Sequence, residues 1–329
     1  MLVMTLGAAG QPLVAAERAV PTPGADDLLI KVLACGVCRT DLHIIDGDLH
    51  PRTPHTVLGH EIVGRVVATG SLATRFQIGS RVGVPWLGGT CGHCAYCENG
   101  RENLCDTPVF TGYDRDGGFA EYAVAKAHFC FALPDRYDDI HAAPLLCAGL
   151  IGYRAYRLSG VSGNMRLGLY GFGAAAHIIC QLAVAQGQQV YAFVRPGDVQ
   201  SQLFAKQMGA CWVGTSDMRT SEELDAALIF APVGSLVPTA LSAIRKGGVV
   251  ICAGIHMSDI PAFKYALLWG ERSIRSVANL TREDGDSFFS AIERHPIETH
   301  VQAFALTQAN EAITALRSGA VTGAVVLVP

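Results

Sequence analysis

Four cysteines crowd one short, glycine-containing stretch of the sequence. They are Cys91, Cys94, Cys97 and Cys105. Four thiolates form the closed tetrahedral shell of a structural zinc ion and leave no coordination position open for chemistry. The stretch therefore predicts a zinc-stabilised loop. It does not define a function, because zinc ribbons that bind nucleic acid or protein use similar cysteine pairs.

A second set of metal-binding side chains comes from three distant segments. Cys38 opens the motif Cys-Arg-Thr-Asp-Leu-His, His60 lies in Leu-Gly-His-Glu, and Cys147 lies in Leu-Cys-Ala-Gly. Two thiolates and one imidazole leave a fourth zinc position for water or an alcohol oxygen, which is what a catalytic zinc requires. The sequence thus predicts a Cys2His catalytic zinc site.

A glycine-rich turn lies between a short apolar strand and a helical stretch. It has the pattern GxGxxA, in which a first glycine permits a tight turn and a second lets a pyrophosphate approach backbone N–H groups. The small residue at the end allows close packing of helix on strand. This pattern predicts a dinucleotide site formed by Gly171, Phe172, Gly173, Ala174 and Ala176.

Arg195 follows the next strand, at the position where an acidic residue would bind the ribose hydroxyls of NAD. An arginine there can pair with a 2'-phosphate, which slightly favours NADP. Asp198 is close enough in sequence to reach the ribose instead. The choice between NAD and NADP therefore stays open.

Two domains are expected to carry these motifs. Short β-type runs separated by Gly/Pro turns fill the first part of the chain, and apolar strands alternating with helical stretches follow, which is typical of a parallel sheet. The closing segment is expected to return to the first domain. We predict a β-rich domain over residues 1–148, completed by 279–329, and a cofactor domain over 149–278.

Composition narrows the range of partners. The chain has 329 residues, a formal net charge of -4 and only 16% charged residues, so no basic face is available for nucleic acid. No secretory signal or apolar span of membrane length is evident, which predicts a cytoplasmic protein without a membrane partner. In that setting the eleven cysteines indicate metal sites more than disulfides.

The order of these motifs resembles the zinc-containing medium-chain alcohol dehydrogenases over essentially the full chain. The resemblance implies an α/β protein with a GroES-like β-rich catalytic domain and a Rossmann doubly wound parallel-sheet cofactor domain. It further implies a catalytic zinc in the cleft between them, a structural zinc, and a homodimer or homotetramer. The expected reaction transfers hydride between an alcohol and NAD(P), giving an aldehyde or ketone.

The resemblance also assigns roles beside the three zinc ligands. Glu61 matches a carboxylate that approaches the metal during ligand exchange, and Asp41 matches the acceptor that orients the zinc-bound histidine. Thr40 matches the hydroxyl that takes the substrate's proton, which then passes through the cofactor ribose to His43 at the surface. A hydroxyl-to-imidazole relay of this kind removes a proton without bulk water.

Some positions depart from the family pattern around the cofactor. Ile151 stands where a threonine often touches the nicotinamide, and Ala324 stands where an arginine often contacts the pyrophosphate. These changes leave Arg39 as the more obvious cationic partner for the pyrophosphate.

The substrate pocket also departs from that of ethanol-active relatives. Leu49 replaces a tryptophan that narrows the pocket, while Trp86 and Phe110 match pocket aromatics. More space predicts better turnover of medium-chain or aromatic alcohols than of ethanol, since each buried methylene contributes about 0.8 kcal/mol.

Two other functions remain open from the sequence. A zinc dehydrogenase of the same fold could act on a polyol or another carbonyl substrate. A non-enzymatic zinc module that binds a partner would keep the four-cysteine loop, but it would have no use for the GxGxxA turn or for the pair Thr40 and His43.

Overall fold

The computed structural model describes residues 1–50, 52–319 and 321–329. The chain divides into two compact units. The first contains Met1–Cys147, Asn279–Phe289 and Thr299–Pro329, and the second contains Ala148–Ala278 and Ser290–Glu298.

The first 147 residues form mainly short strands. In chain order these are β1 (Leu2–Leu6), β2 (Val14–Glu17), β3 (Asp27–Val37), β4 (Thr56–Val57), β5 (Glu61–Thr69), β6 (Arg81–Val84), β7 (Leu87–Gly89), β8 (Val109–Phe110), β9 (Tyr122–Lys126) and β10 (Phe131–Ala132). The helices between them are α1 (Arg39–Asp46), α2 (Ala95–Glu98) and α3 (Asp139–Ala142). Single 3-10 turns lie at Glu102–Leu104, Ala127–Phe129 and Ala143–Leu146.

Strands and helices alternate through the second unit. They are α4 (Ala148–Ser159), β11 (Arg166–Tyr170), α5 (Ala174–Ala185), β12 (Gln189–Val194), α6 (Val199–Gln207), β13 (Trp212–Thr215), β14 (Leu224–Ile229), α7 (Leu236–Ala243), β15 (Ile244–Cys252) and β16 (Ser273–Ser276), with a 3-10 turn at Tyr265–Leu267. The chain then continues as α8 (Arg282–Arg294), β17 (Val301–Ala305), a 3-10 turn at Leu306–Gln308, α9 (Ala309–Ser318) and β18 (Ala324–Val328).

The main sheet of the first unit has the order β10-β6-β5-β3-β18-β17, and β9 also pairs with β3. The central strand β3 buries alternate side chains in its first half, among them Leu28, Ile30 and Val32, as a strand with one covered face does. The last strand, β18, pairs antiparallel with β3, so the C-terminal segment completes this sheet.

The sheet of the second unit is parallel and has the order β13-β12-β11-β14-β15-β16. The first strand in sequence, β11, is central, and the order reverses on either side of it, as in a doubly wound Rossmann sheet. β11 and β12 are buried almost along their whole lengths because such a sheet is covered on both faces. The predicted fold class, a GroES-like domain with a Rossmann domain, is confirmed.

One part of the C-terminal segment lies in a different unit from the one predicted. Residues 279–329 were all expected with the first domain, but Ser290–Glu298 belongs to the second unit. The physical reason is a reciprocal pair of hydrogen bonds on α5. The Gln181 amide donates to the Glu298 carbonyl and accepts from the Glu298 N–H, each at 2.8 Å.

The four-cysteine loop is attached to α8 within the first unit through Glu102. This carboxylate is 4% exposed and accepts from the backbone N–H of Arg282 at 3.0 Å and from its Nε at 3.1 Å. Arg282 is the first residue of α8, so the carboxylate also lies at the positive end of the helix dipole. Burial alone would raise the pKa of Glu102, but the hydrogen bonds from Arg282 outweigh it and lower the pKa.

We expect Glu102→Ala to lower the free energy of unfolding by about 2 kcal/mol at pH 7, because two hydrogen bonds to a charged acceptor are lost. Since the pKa of Glu102 is lowered in the folded state, its stabilisation is complete above the unfolded pKa, near 4.3, and disappears as pH falls through the folded value. Chemical denaturation at pH 7 and below pH 4 measures both effects. The exposed Glu98→Ala is the matched control, and equal stabilities of wild type and Glu102→Ala at pH 7 would contradict the assignment.

Candidate active site

Antiparallel pairing of β3 with β5 brings Cys38 and His60 together. Gly36 is the register partner of Glu61, so the residues that follow β3 lie beside those that precede β5. The Cys38 sulfur lies 3.1 Å from His60 Nε2. Two motifs that are 22 residues apart in sequence therefore meet at one end of this strand pair.

Cys147 reaches the same place through the 3-10 turn Ala143–Leu146. This turn is buried throughout, and Leu146 packs against Gly83 of β6, where an added Cβ would lie 2.5 Å from the leucine side chain. Cys147 follows the turn directly. Its position is thus fixed by packing of the turn on the sheet.

The sulfurs of Cys38 and Cys147, one nitrogen of His60 and a carboxylate oxygen of Glu61 all lie within 4.8 Å of one another. Two thiolates and an imidazole are the donors that zinc prefers, and three of them leave room for an exchangeable ligand. The Cys147 thiol and His60 lower the pKa of Cys38, which favours the thiolate that a metal binds. The residues present therefore fit a zinc ion.

Asp41 is a fully buried carboxylate behind this cluster. It accepts from the backbone N–H of Cys38 at 2.9 Å and from that of Gly59 at 3.2 Å, and one oxygen lies 3.6 Å from His60 Nδ1. Gly59 adopts a positive φ of 94°, and a Cβ there would collide with Phe119. Asp41 thereby links the start of α1 to the turn that carries His60.

Charge compensation is strong in this buried cluster. Burial opposes the charged form of His60, but the Cys38 thiolate and the Asp41 carboxylate prevail and raise its pKa. Burial also raises the pKa of Glu61, and the neighbouring Cys38 raises it further.

The Glu61 side chain lies over Gly36, where an added Cβ would be 1.9 Å from its Oε2. The absence of a side chain at Gly36 makes room for this carboxylate.

The proposed relay residues lie on α1. Thr40 is 8% exposed and its backbone N–H donates to the Cys38 sulfur at 3.3 Å, while His43 lies one turn further along at the edge of the buried region. Asp48 was not predicted from the sequence, and its Oδ2 lies 2.8 Å from His43 Nδ1. Gly47 ends the helix in a left-handed conformation and turns the chain so that Asp48 faces back towards His43.

The four cysteines of the predicted structural site also converge. Their sulfurs lie within 4.8 Å of one another, with separations of 3.5 Å for Cys94 and Cys97, 3.6 Å for Cys91 and Cys105, and 3.9 Å for Cys91 and Cys97. These distances exclude disulfides, whose S–S bonds are about 2.05 Å long. A tetrahedron with Zn–S bonds of about 2.3 Å has edges of about 3.8 Å, so the cage fits zinc.

The predicted pocket aromatics form a wall beside the cluster. The rings of Trp86 and Phe110 stack at 4.8 Å, and the His60 ring meets Trp86 edge-on at 4.9 Å. Leu49 is partly buried against the same hydrophobic core. The wall thus contacts a predicted metal ligand directly.

The glycine-rich turn has the backbone that a phosphate site needs. Gly171 adopts a positive φ of 88°, and a Cβ on Gly173 would meet no atom within 4 Å, so the surface above it is open. Gly173 caps α5 without a side-chain hydrogen bond, which leaves N–H groups of the first turn available to an anion. Ala176 is fully buried, and Phe172 packs edge-on against Phe204 of α6. Ala174 is the first residue of α5.

Two arginines were predicted to contact the cofactor. Arg195 is exposed and begins the rim of an open pocket of about 490 Å³ lined by residues 195–200. Asp198, the competing candidate there, caps α6 and accepts from the Ser201 N–H at 3.0 Å and from the Ser201 hydroxyl at 2.9 Å. Arg39 is exposed at the first position of α1.

Comparisons with known proteins agree with these features. Residues 24–135 match the alcohol dehydrogenase GroES-like domain. The chain is 44% identical over 322 residues to the probable alcohol dehydrogenase AdhA of Mycobacterium tuberculosis, an alignment that covers 96% of this chain and 92% of that protein.

Solved structures are similar along the whole chain. The acetophenone reductase from Geotrichum candidum, in complex with NAD, has a TM-score of 0.87 at 27% identity and aligns with 100% of this chain and 96% of its own. A cobalt- and zinc-bound thermostable alcohol dehydrogenase from Pyrobaculum aerophilum has a TM-score of 0.89 at 25% identity, covering 100% of this chain and 99% of that one.

The chain belongs to the zinc-containing medium-chain alcohol dehydrogenase family. It is an alcohol dehydrogenase that uses NAD(P) and acts on small molecules. Membership in this family excludes the non-enzymatic zinc module that the sequence left open.

Within the described part of the chain, no helix is long and apolar enough to cross a membrane.

Proposed function

We propose that this enzyme is a zinc-dependent dehydrogenase of alcohols larger than ethanol, with one catalytic and one structural zinc per chain. The observation that carries the proposal is the convergence of Cys38, His60 and Cys147 from three segments onto one point. A zinc ion held there supplies Lewis acidity, which lowers the pKa of an alcohol hydroxyl towards neutrality.

Residues of the chain then accept and transfer the proton of the alcohol. In the proposed relay Thr40 accepts it and, through the cofactor ribose, His43 receives it. His43 Nδ1 lies 2.8 Å from the Asp48 carboxylate, which orients the imidazole ring for this role. The Asp41 carboxylate, 3.6 Å from His60 Nδ1, supplies the charge partner of this ring, and the Glu61 carboxylate, within 4.8 Å of both sulfurs, is an alternative ligand.

Substrate size is inferred from the wall beside the metal ligands. Trp86 and Phe110 present a stacked aromatic surface, and Leu49 leaves more space than the tryptophan of ethanol-active relatives. One protein of similar structure is an acetophenone reductase, an enzyme that acts on an aryl ketone. A polyol is a weaker candidate, because an aromatic wall offers its hydroxyls few hydrogen-bond partners.

The direct test is a panel of alcohols with each nicotinamide cofactor. We expect kcat/KM for benzyl alcohol to exceed that for ethanol by about tenfold or more, since extra apolar surface is buried against the wall. Activity should disappear after chelation and return on addition of Zn²⁺. Equal kcat/KM for the two alcohols would refute the size preference, and activity that survives complete metal removal would refute the zinc mechanism.

Metal content separates the two sites. We expect two zinc ions per wild-type chain and one in each of the variants Cys94→Ser and Cys147→Ser, as measured by elemental analysis. Cys94→Ser should lower the unfolding temperature more than Cys147→Ser does, because a closed site stabilises the loop. Cys147→Ser should lose activity while keeping its fold by circular dichroism. A full complement of two zinc ions in either variant would contradict the corresponding ligand assignment.

Cofactor choice is proposed to lean towards NADP. Asp198 is engaged in capping α6, while the Arg195 guanidinium is exposed beside the pocket. We expect kcat/KM to be higher with NADPH than with NADH, and Arg195→Ala to reduce the NADPH to NADH ratio by about tenfold through loss of a charge-assisted contact. The exposed Arg219→Ala in the same unit is the control. A ratio unchanged by Arg195→Ala would exclude this residue from phosphate recognition.

Other expectations stay predictions. A homodimer or homotetramer and a cytoplasmic location are inferred from the family resemblance and from the sequence.

A further inference from the structure

Tyr113 connects the aromatic wall to the residues that neighbour Leu49. Its side chain is 9% exposed, and its hydroxyl donates to the backbone carbonyl of His50 at 2.9 Å, across 63 positions of sequence. Its ring lies 5.8 Å from that of Trp86. One side chain therefore contacts the wall and fixes the residue that follows Leu49.

Arg52 strengthens the same connection from outside. Its guanidinium lies 5.2 Å from the centre of the Tyr113 ring and forms a 2.7 Å ion pair with Asp114. Asp114 in turn accepts from the backbone N–H of Phe110 at 2.7 Å. The turn that carries Phe110 and Tyr113 is thus attached to both His50 and Arg52.

These contacts form a continuous path to the metal-binding cluster. His60 meets Trp86 edge-on, Trp86 stacks on Phe110, and Tyr113 packs beside Trp86 while holding His50. The Leu49 N–H donates to the His43 carbonyl at 3.0 Å, which anchors it to α1, and the Tyr113 hydroxyl anchors the next residue, His50, to the wall.

We propose that Tyr113 is a positioning residue that sets specificity for aromatic alcohols. By tying His50 to the wall it holds Leu49 at a fixed spacing from Trp86 and Phe110, and this spacing accommodates an aromatic ring. Tyr113 acts through these residues and does not touch the substrate itself. The inference rests on the proposed function, because it takes these three residues as the substrate pocket.

Loss of the Tyr113 hydrogen bond is expected to weaken binding of large substrates most, because only these contact the aromatic wall. Benzyl alcohol would bury its ring against Trp86, Phe110 and Leu49, whereas ethanol reaches little beyond the metal ligands. Loss of one neutral hydrogen bond changes an equilibrium by about fivefold. A loosened pocket therefore weakens binding of the aromatic alcohol and leaves the chemical step in place.

The test is Tyr113→Phe, which removes the hydroxyl and retains the ring. We expect KM for benzyl alcohol to rise about fivefold with kcat changed less than twofold, so that the ratio of kcat/KM for benzyl alcohol to that for ethanol falls about fivefold. KM for the nicotinamide cofactor should stay unchanged. Arg52→Gln, at a side chain that is 56% exposed, should shift the ratio in the same direction without risk to the fold.

The matched control is Tyr156→Phe in the second unit, which likewise removes a buried hydroxyl, although the partners of this hydroxyl are the side-chain oxygens of Gln186 and Gln188 and not a backbone carbonyl. This control should keep the wild-type ratio. A ratio within twofold of wild type in Tyr113→Phe overturns the proposal, and so does a loss shared equally by benzyl alcohol and ethanol or a ratio that falls as much in Tyr156→Phe. Absence of alcohol turnover in the zinc-loaded wild type would be a different result, since it overturns the proposed function and this inference with it.

Discussion

The pairing of β3 with β5 is the constraint on which the site depends. It places a thiolate next to an imidazole in a buried setting where each charge would be costly alone. Asp41 then compensates His60 and secures the backbone of both segments. Because the Cys38 thiolate and the Asp41 carboxylate both favour the charged form of His60, the end of this strand pair is a buried site for positive charge.

Glycines make the close approach of these groups physically possible. Gly36 has no side chain where the Glu61 carboxylate lies, and Gly59 adopts a conformation that directs its N–H to Asp41. In the second unit Gly173 leaves the start of α5 open in the same way. The missing side chains at these positions provide space for reactive or charged groups, so their role is geometric.

Local and distant contacts contributed differently to what could be predicted. The motifs holding Cys91–Cys105 and Gly171–Ala176 are each contained in a short stretch, and their chemistry is readable from spacing alone. The fold class and the family were predicted correctly for the same reason, since strand periodicity and motif order are properties of the sequence. The assignment of Ser290–Glu298 to the second unit was not predicted, because it depends on hydrogen bonds to Gln181 more than a hundred residues away.

The sequence by itself determined which side chains are chemically able to bind zinc and where the chain turns for a dinucleotide. Only the tertiary structure decided which of them meet and what supports them. Glu102 finds its partner Arg282 180 positions away, and Tyr113 finds the carbonyl of His50 63 positions away. Such contacts leave no local pattern in the sequence, because every residue has backbone groups that can form hydrogen bonds. Only the tertiary packing decides which of these backbone groups a given side chain reaches.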